Sequence, residues 1–205
     1  MATLKLGVLV SGSGTNLQAI LDAVANAQLD AEVRLVISNV ENVFALERAR
    51  AAGVPHRVIS HRDFTSRDVF DLALVDALRS AGVEWVALAG FMRVLTPRFL
   101  DAFERRVINI HPALLPAFPG VHAQRQALDY GVKITGCTVH FVDGGVDTGP
   151  IIAQRAVPVL DDDDEASLGA RILKEEHAAY VEVLGWLAAG RVRVEAGASD
   201  KRPRV

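Results

Sequence analysis

Two segments in the second half of the chain hold side chains that suit acyl-transfer chemistry. The first, residues 107–120, reads VINIHPALLPAFPG, and the second, residues 143–150, reads DGGVDTGP. Apolar Val107–Ile110 is predicted as a strand, and because side chains alternate between the faces of a strand, Asn109 and His111 point the same way. The following proline ends the strand, and ligands bind at the carboxyl ends of strands in open α/β sheets, so we expect a site there.

Asn109, His111 and Asp147 form the main catalytic candidate. Transfer of a formyl or other acyl group to an amine passes through a tetrahedral oxyanion, which needs preorganised hydrogen-bond donors. Asn109 offers a neutral N–H donor, and a protonated His111 offers a charged donor that can also exchange a proton. Asp147 lies in a glycine-rich loop, and a neighbouring carboxylate favours the protonated form of a histidine. A lone histidine at a strand end is more often structural, but the accompanying Asn109 and Asp147 favour catalysis.

A second candidate site follows the first predicted strand, which runs into SGSGTNLQAI, residues 11–20. Glycines between a strand and a helix let backbone N–H groups approach an anion, and a helix N-terminus favours negative charge. The segment lacks the Gly-Lys-Ser/Thr of a Walker A motif, and Leu17 replaces the last glycine of a dinucleotide fingerprint. We therefore predict one phosphate, held by Gly14, Thr15 and Asn16; a tight turn with an asparagine cap is the alternative.

The segment LAGFMRVLTP, residues 88–97, follows a strand that is apolar throughout. Met92, Val94 and Leu95 would line an apolar slot for a flat ring, or they would pack in the core. Arg67 and Arg93 are candidate anchors for carboxylates and equally ordinary surface residues.

Four other polar or reactive residues have to be weighed. Glu176 falls on the apolar stripe of the last predicted helix, and since carboxylates are rarely buried unpaired, we expect it to meet a ligand or a salt-bridge partner. His122 and His140 could join the catalytic histidine and aspartate around a metal, but their spacing matches no common metal-site pattern, so we expect no metal. Cys137 lies in mid-strand and is expected to pack in the core rather than act as a nucleophile.

Apolar runs alternate with helical patterns along the chain, which is typical of βαβ units and predicts an α/β fold with a mostly parallel sheet. The predicted strands are Leu4–Val10, Val33–Ile37, Val54–Ile59, Trp85–Ala89, Val107–Ile110, Thr135–Val142 and Ile151–Val159. The predicted helices are Asn16–Ala27, Val43–Ala52, Arg67–Ala81, one that begins after an N-cap at Thr96, His122–Tyr130 and Glu165–Ala189. The acidic run Asp161–Glu165 is expected to be a solvated turn that caps the last helix.

Size and composition set limits on organisation and partners. The 205 residues are 50% hydrophobic and 23% charged, with a formal net charge of -3. They fit a single domain, 1–205, with halves at about 1–100 and about 101–190 and a disordered tail at 197–205. Without a basic stripe or a long apolar run, we expect neither a nucleic-acid nor a membrane partner. A single cysteine and the lack of a recognisable signal peptide predict a cytoplasmic protein.

Six motifs occur in a fixed order: SGSGTNLQAI, LERARAAGVP, LAGFMRVLTPRFL, NIHPALLPAFPG, GCTVHFVDGGVDTGPII and EEHAAY. Through them the chain, from about Leu6 to Gly190, resembles the phosphoribosylglycinamide formyltransferases, folate-dependent enzymes of purine biosynthesis. The resemblance implies a Rossmann-like three-layer fold with helices on both faces of a twisted sheet. It also implies that 10-formyltetrahydrofolate, as co-substrate, gives its formyl group to the glycinamide amine.

The resemblance assigns roles to individual residues. Asn109 and His111 take the oxyanion and proton-transfer roles, and Asp147 the histidine-tuning and proton-relay role. The implied binding residues for the substrate's phosphate, and for its sugar and amine region, are Gly14, Thr15, Asn16 and Glu176. The implied folate-binding residues are Arg67, Met92, Arg93, Val94, Leu95, Asn109 and the loop Val142–Asp147.

The resemblance also implies a cis bond at Leu115-Pro116, which the sequence alone does not show. The chain departs from the family pattern at Ala113, Ala117, Gln124 and Leu173. These positions surround the catalytic set and do not belong to it.

Three alternative functions remain open at this point. Methionyl-tRNA formyltransferases share the Asn/His/Asp set but add a C-terminal nucleic-acid-binding domain, and no basic extension follows here. Hydrolases of 10-formyltetrahydrofolate usually carry an N-terminal regulatory domain, whereas the first predicted strand here begins at Leu4. A non-catalytic nucleotide-binding regulator would not need all three catalytic candidates. We expect small-molecule partners, with a monomer and a homodimer both possible.

Overall fold

The computed structural model describes residues 3–194 and 203–204, and the chain divides into two compact units, Met1–Ile108 and Asn109–Val205. The strands are β1 (Leu4–Val10), β2 (Ala31–Ser38), β3 (His56–Val58), β4 (Trp85–Leu88), β5 (Val107–His111), β6 (Ile134–Phe141), β7 (Ile151–Pro158), β8 (Arg193–Val194) and β9 (Pro203–Arg204). The helices are α1 (Thr15–Ala25), α2 (Phe44–Ala51), α3 (Arg67–Ser80), α4 (Pro97–Ala102), α5 (Ala123–Tyr130) and α6 (Glu165–Ala188). Seven strands form a sheet in the order β3-β2-β1-β4-β5-β6-β7.

The first unit is built on parallel pairing. Strand β1 pairs in parallel with β2 on one side and with β4 on the other, and β2 pairs in parallel with β3. Because the chain moves outward from β1 in both directions, the carboxyl ends of β1 and β4 form a topological switch point, where ligands bind in such sheets. Residues 11–16 follow β1 at this point, and residues 89–96 follow β4.

Helix α3 shows how the sequence builds this unit. Its N-terminus is fixed by Ser66, whose hydroxyl accepts a hydrogen bond from the Val69 N–H at 3.3 Å. Phe70, Leu74 and Leu78 recur at four-residue spacing and are fully buried, so they form the apolar stripe of an amphipathic helix. Asp71 lies beside this stripe and is buried as well.

The second unit contains an antiparallel pair, β6 and β7, and α6 packs against both strands. Asp164 caps α6: its carboxylate accepts from the Ser167 N–H at 2.8 Å, and the Ser167 hydroxyl accepts from the Asp164 N–H at 3.0 Å. This reciprocal arrangement is a capping box, and it confirms the capping role expected of the acidic run. The residues of the predicted apolar stripe are all buried: Leu168, Ile172, Ala179, Val183 and Leu187.

The predicted fold class is confirmed, and the predicted elements are found with ends shifted by at most two residues. The prediction missed a short 3-10 turn at His61–Asp63 and the β8–β9 pair. The predicted tail at 197–205 lies outside the described residues, apart from Pro203–Arg204. Within the described part of the chain, the helices are too short or too polar to cross a membrane.

Candidate active site

The carboxyl end of β5 and the loop after β6 bring the predicted catalytic residues together in the second unit. The Asp147 carboxylate Oδ2 lies 3.3 Å from His111 Nδ1, and its Oδ1 lies 3.5 Å from Asn109 Nδ2. His111 is only 4% exposed, whereas Asn109 is partly open to solvent. Alternation along β5 thus puts both side chains on the face that Asp147 approaches, as the spacing predicted.

Asp147 is held in place by both its backbone and its carboxylate. Its φ of 54° lies in the left-handed region, which aspartate tolerates better than most residues. The carboxylate Oδ2 also accepts a hydrogen bond from the Gly120 N–H at 2.8 Å. Burial, the largest single influence, raises the pKa of Asp147, but contacts with His140, the Gly120 N–H and His111 outweigh it and hold the pKa below its ordinary value of 3.8. Asp147 is therefore an anion at neutral pH.

Both ring nitrogens of His111 face hydrogen-bond acceptors. Nε2 lies 2.8 Å from the Phe118 carbonyl oxygen, which can only accept, so Nε2 carries a hydrogen. Nδ1 faces the ionised Asp147 carboxylate at 3.3 Å. The ring is therefore held between a backbone carbonyl and a carboxylate, and Nδ1 is the nitrogen that faces the rest of the cluster.

His140 is a fourth member of this cluster, and the sequence analysis considered it only as a metal ligand. Its Nδ1 lies 2.8 Å from the Phe141 carbonyl oxygen, and its Nε2 lies 3.2 Å from Asn109 Nδ2 and 3.6 Å from Asp147 Oδ1. A neutral His140 accepts from the Asn109 amide, and a protonated one donates to Asp147. In either state the buried ring contacts one of the predicted catalytic residues. The signal available in the sequence was its place near the carboxyl end of β6, two residues before the glycine-rich loop begins.

The predicted phosphate loop belongs to the first unit and has the expected local geometry. Gly14 has a φ of 70° and is the N-cap of α1, Thr15 is the first helical residue, and Asn16 is buried. A Cβ on Gly14 would lie 2.6 Å from the Ala45 Cβ, so only glycine fits. The Ala45 N–H donates to the Gly12 carbonyl at 3.1 Å, and Arg48 Nε donates to the Ser13 carbonyl at 2.9 Å. Helix α2 therefore fixes the loop through its backbone.

Residues 90–96, called the 90–96 segment below, have no regular secondary structure. Met92 is 68% exposed and Val94 is exposed, whereas Leu95 is buried. Arg67 Nη2 donates to the Val94 carbonyl oxygen at 2.6 Å, and the Arg93 guanidinium lies 5.9 Å from the centre of the Phe70 ring. Two apolar side chains thus stay available for a ligand, while Leu95 packs inward. The structure brings Arg67 and the predicted apolar slot together.

Glu176 is buried in α6, as its place on the apolar stripe predicted. Its charge helps to raise the pKa of Cys137 on β6, after the larger effect of burial, so the two side chains are near each other. Its role as a ligand-binding residue stays a prediction.

The predicted surroundings of the site contain two further features. The Leu115-Pro116 bond is cis. Ala113, a departure from the family pattern, is buried and contributes its carbonyl, which accepts from the Thr138 hydroxyl at 2.7 Å. Among residues 3–194 and 203–204, no group of three or more His, Cys, Asp or Glu side chains is arranged to hold a metal ion.

The cluster of Asn109, His111, His140 and Asp147 can do a defined kind of chemistry. It offers one amide donor, two imidazole rings and a carboxylate that stays ionised. Such a set stabilises a developing oxyanion and moves a proton near it.

Comparison with known proteins shows which family the chain belongs to. Residues 4–184 match the family model described as formyl transferase. The chain is 42% identical to the phosphoribosylglycinamide formyltransferase of Escherichia coli (strain K12), over 96% of this chain and 92% of that protein. It is 51% identical to the trifunctional purine biosynthetic protein adenosine-3 of Drosophila melanogaster, over 96% of this chain but only 15% of that protein.

Solved structures give the same result. Glycinamide ribonucleotide transformylase 1 from Symbiobacterium toebii superposes with a TM-score of 0.96 at 50% identity, covering 99% of this chain and 94% of that one. Phosphoribosylglycinamide formyltransferase from Coxiella burnetii, solved in complex with CHES, gives a TM-score of 0.91 at 39% identity, covering 98% and 95% of the two chains. The chain therefore belongs to the formyl transferase family, and within it to the phosphoribosylglycinamide formyltransferases.

Proposed function

We propose that this chain transfers the formyl group of 10-formyltetrahydrofolate to the amine of N1-(5-phosphoribosyl)glycinamide, giving the N-formyl product and tetrahydrofolate in de novo purine biosynthesis. The observation that carries the proposal is the contact of the buried His111 with an ionised Asp147, with Asn109 beside it. Relatives named for this reaction are similar over nearly the whole chain and support the choice of substrates.

In the proposed reaction the amine attacks the formyl carbon, and the carbonyl oxygen becomes an oxyanion. Asn109 Nδ2 donates one hydrogen bond to this oxygen, and the Nδ1–H of His111, whose contact with Asp147 is long at 3.3 Å, donates the other. Both hydrogen bonds are worth most in the transition state. The new C–N bond forms, the bond between the formyl carbon and N10 of the folate breaks, and N10 takes up a proton as the amine loses one. His111 is placed to exchange that proton.

Asp147 acts through its charge. Since its pKa lies below the ordinary value, it is an anion at the pH of the reaction, and its negative charge lies 3.3 Å from His111 Nδ1. The hydrogen bond from the Gly120 N–H keeps the carboxylate on the His111 side. We assign to it the tuning of His111 and a part in relaying the proton.

We assign the binding roles from the family resemblance, and local geometry supports one of them. Gly14, Thr15 and Asn16 are assigned to the substrate phosphate, because backbone N–H groups at the start of α1 favour an anion. Glu176 is assigned to the sugar and amine region. The residues assigned to folate are Arg67, Met92, Arg93, Val94, Leu95 and Asn109.

We further propose that the whole chain works as one formyltransferase domain, since the family match runs through both units. We propose a cytoplasmic enzyme with small-molecule partners and no bound metal, acting as a monomer or a homodimer. The buried, unreactive Cys137 is compatible with a reducing compartment.

The test is an absorbance assay that follows the loss of 10-formyltetrahydrofolate with and without the ribonucleotide. Loss only in the presence of the ribonucleotide supports the transferase. Equal loss without it indicates a hydrolase, and loss that needs methionyl-tRNA indicates the tRNA enzyme. No loss with any acceptor leaves the binding-protein alternative and overturns the proposal.

A further inference from the structure

We propose that Asp71 is a positioning residue for folate binding, because its buried carboxylate holds the 90–96 segment in one backbone conformation. The inference rests on the proposed function, since this segment carries residues assigned there to folate. Asp71 lies on α3 and does not belong to any set of residues assigned so far.

Side chains from elsewhere in the first unit hold the backbone of the segment at every second residue. The Ser11 hydroxyl accepts from the Met92 N–H at 2.9 Å, Arg67 donates to the Val94 carbonyl, and Asp71 Oδ2 accepts from the Thr96 N–H at 2.6 Å. The segment has no helix or strand of its own to fix its backbone. The Gly90 carbonyl also accepts from the Ser11 N–H at 3.0 Å. Beyond Gly90, the three side-chain contacts are the hydrogen bonds that fix the backbone of the segment at Met92, Val94 and Thr96.

Asp71 differs from the other two residues in its burial. It is 2% exposed, and burial raises the pKa of its carboxyl, while the Thr96 N–H and hydroxyl and the charge of Arg67 act in the opposite direction. A carboxylate is costly to bury, and an apolar residue would suit the inner face of α3 better for packing alone. A buried acceptor directed at one backbone N–H is explained by a need to fix that N–H.

Two of the three contacts come from neighbouring side chains on α3. Arg67 and Asp71 are four residues apart and lie on the same side of the helix. Between them they hold Val94 and Thr96, one through its carbonyl and the other through its N–H. Met92 and Val94 can then expose their side chains while the backbone is fixed, which lowers the entropy that a ligand must remove on binding.

The experiment compares Asp71→Ala, Asp71→Asn and the matched control Asp76→Ala, which makes the same change at an exposed position of α3. Steady-state assays give kcat and the KM for each substrate. Hydrogen exchange of peptides covering the 90–96 segment in the ligand-free protein gives a readout independent of activity.

Asp71→Ala is expected to raise the KM for 10-formyltetrahydrofolate about tenfold, the loss of roughly one hydrogen bond to a charged group. The kcat and the KM for the ribonucleotide should change by less than about twofold, and the segment should exchange faster. Asp71→Asn keeps an oxygen that can accept from the Thr96 N–H. Its KM for 10-formyltetrahydrofolate and its hydrogen exchange in the segment should therefore stay close to those of the wild type. Asp76→Ala should behave like the wild type.

Unchanged exchange in the segment, or equal rises in both KM values with a fall in thermal stability, would overturn the proposal. If Asp71→Ala does not fold, Asp71→Leu decides it, because an apolar side chain of similar size suits the buried position but offers the Thr96 N–H no acceptor, so the same KM should rise. If the wild type transfers no formyl group, the proposed function fails. Hydrogen exchange then still decides whether Asp71 holds the segment.

Discussion

The cluster of Asn109, His111, His140 and Asp147 in the second unit and the 90–96 segment of the first unit are organised in opposite ways. In the cluster, buried polar side chains hold one another: His111, His140 and Asn109 all contact Asp147. In the segment, distant side chains hold the backbone and leave Met92 exposed. The chemistry therefore depends on which side chains are present, and the binding surface depends on how the backbone is fixed.

The largest expected effect is that of His111→Ala. It removes the imidazole donor, so kcat should fall by about 10³-fold while the KM for folate changes little. Steady-state kinetics measure kcat and KM, and thermal unfolding shows whether the variant is still folded. His56→Ala on β3, where Nδ1 lies 3.0 Å from the nearby Val54 carbonyl oxygen, serves as the control. Activity retained in His111→Ala would show that the cluster is structural.

Asp147→Asn isolates the charge in the cluster. The amide oxygen can still accept from the Gly120 N–H, so the loop should stay in place while the anion is lost. We expect kcat to fall by about 10²-fold, with little change in either KM. Asp143→Asn is the matched control in the same loop, since Asp143 accepts from Gly145 and Thr148 instead. Equal effects of the two substitutions would mean that loop structure, and not charge, sets the rate.

Gly14→Ala tests the rule that a binding segment depends on its backbone. The new Cβ would meet the Ala45 Cβ at 2.6 Å in a backbone with a φ of 70°. We expect the KM for the ribonucleotide to rise about tenfold or more, together with a loss of about 2 kcal/mol of stability.

Gly53→Ala provides the control for Gly14, because Gly53 has a φ of 69° but open space around its added Cβ. It should cost only about 1 kcal/mol, the backbone penalty alone, and leave the KM unchanged. If Gly14→Ala and Gly53→Ala had the same KM for the ribonucleotide, the loop at Gly14 would not bind the substrate phosphate.

The same contrast explains what the sequence could predict. Asn109, His111 and Asp147 were identified because their types are suited to one reaction and strand alternation fixes their direction. His140 was missed because its partners come from β5 and from the far end of its own loop. The hold of Asp71 on Thr96 was missed because a backbone N–H has no sequence signature, and an aspartate on an amphipathic helix is usually exposed. The strands and helices themselves were predictable, since their apolar periodicity is local.

Acid unfolding should separate the two buried aspartates by sign. The pKa of Asp147 lies below the ordinary value of 3.8, so its stabilising contribution is complete above that pH and is lost as the pH falls through the lowered pKa. The pKa of Asp71 lies above 3.8, so its contribution is complete below that pH and is lost as the pH rises through the raised pKa.

Urea unfolding at a series of pH values around and below about pH 6 measures this difference. The stability of the wild type relative to Asp147→Asn should increase with pH, and its stability relative to Asp71→Asn should decrease. If the stability difference changed with pH in the same direction for both variants, the pKa of Asp147 could not be lowered by its partners while that of Asp71 is raised by burial.

The smallest expected effect is at Cys137, which lies on β6 close to the cluster in sequence but takes no part in it. Burial, followed by the charges of Glu176 and Glu175, raises the pKa of the Cys137 thiol to about 12, so only ~10⁻⁴ of it is thiolate near pH 8. A thiol reagent should therefore label the native protein very slowly and the urea-unfolded protein at an ordinary rate.

Cys137→Ala should leave kcat within about twofold of the wild type and cost about 1 kcal/mol of stability. Rapid labelling of the native protein with loss of activity would place a reactive group on β6 and extend the cluster beyond its four residues.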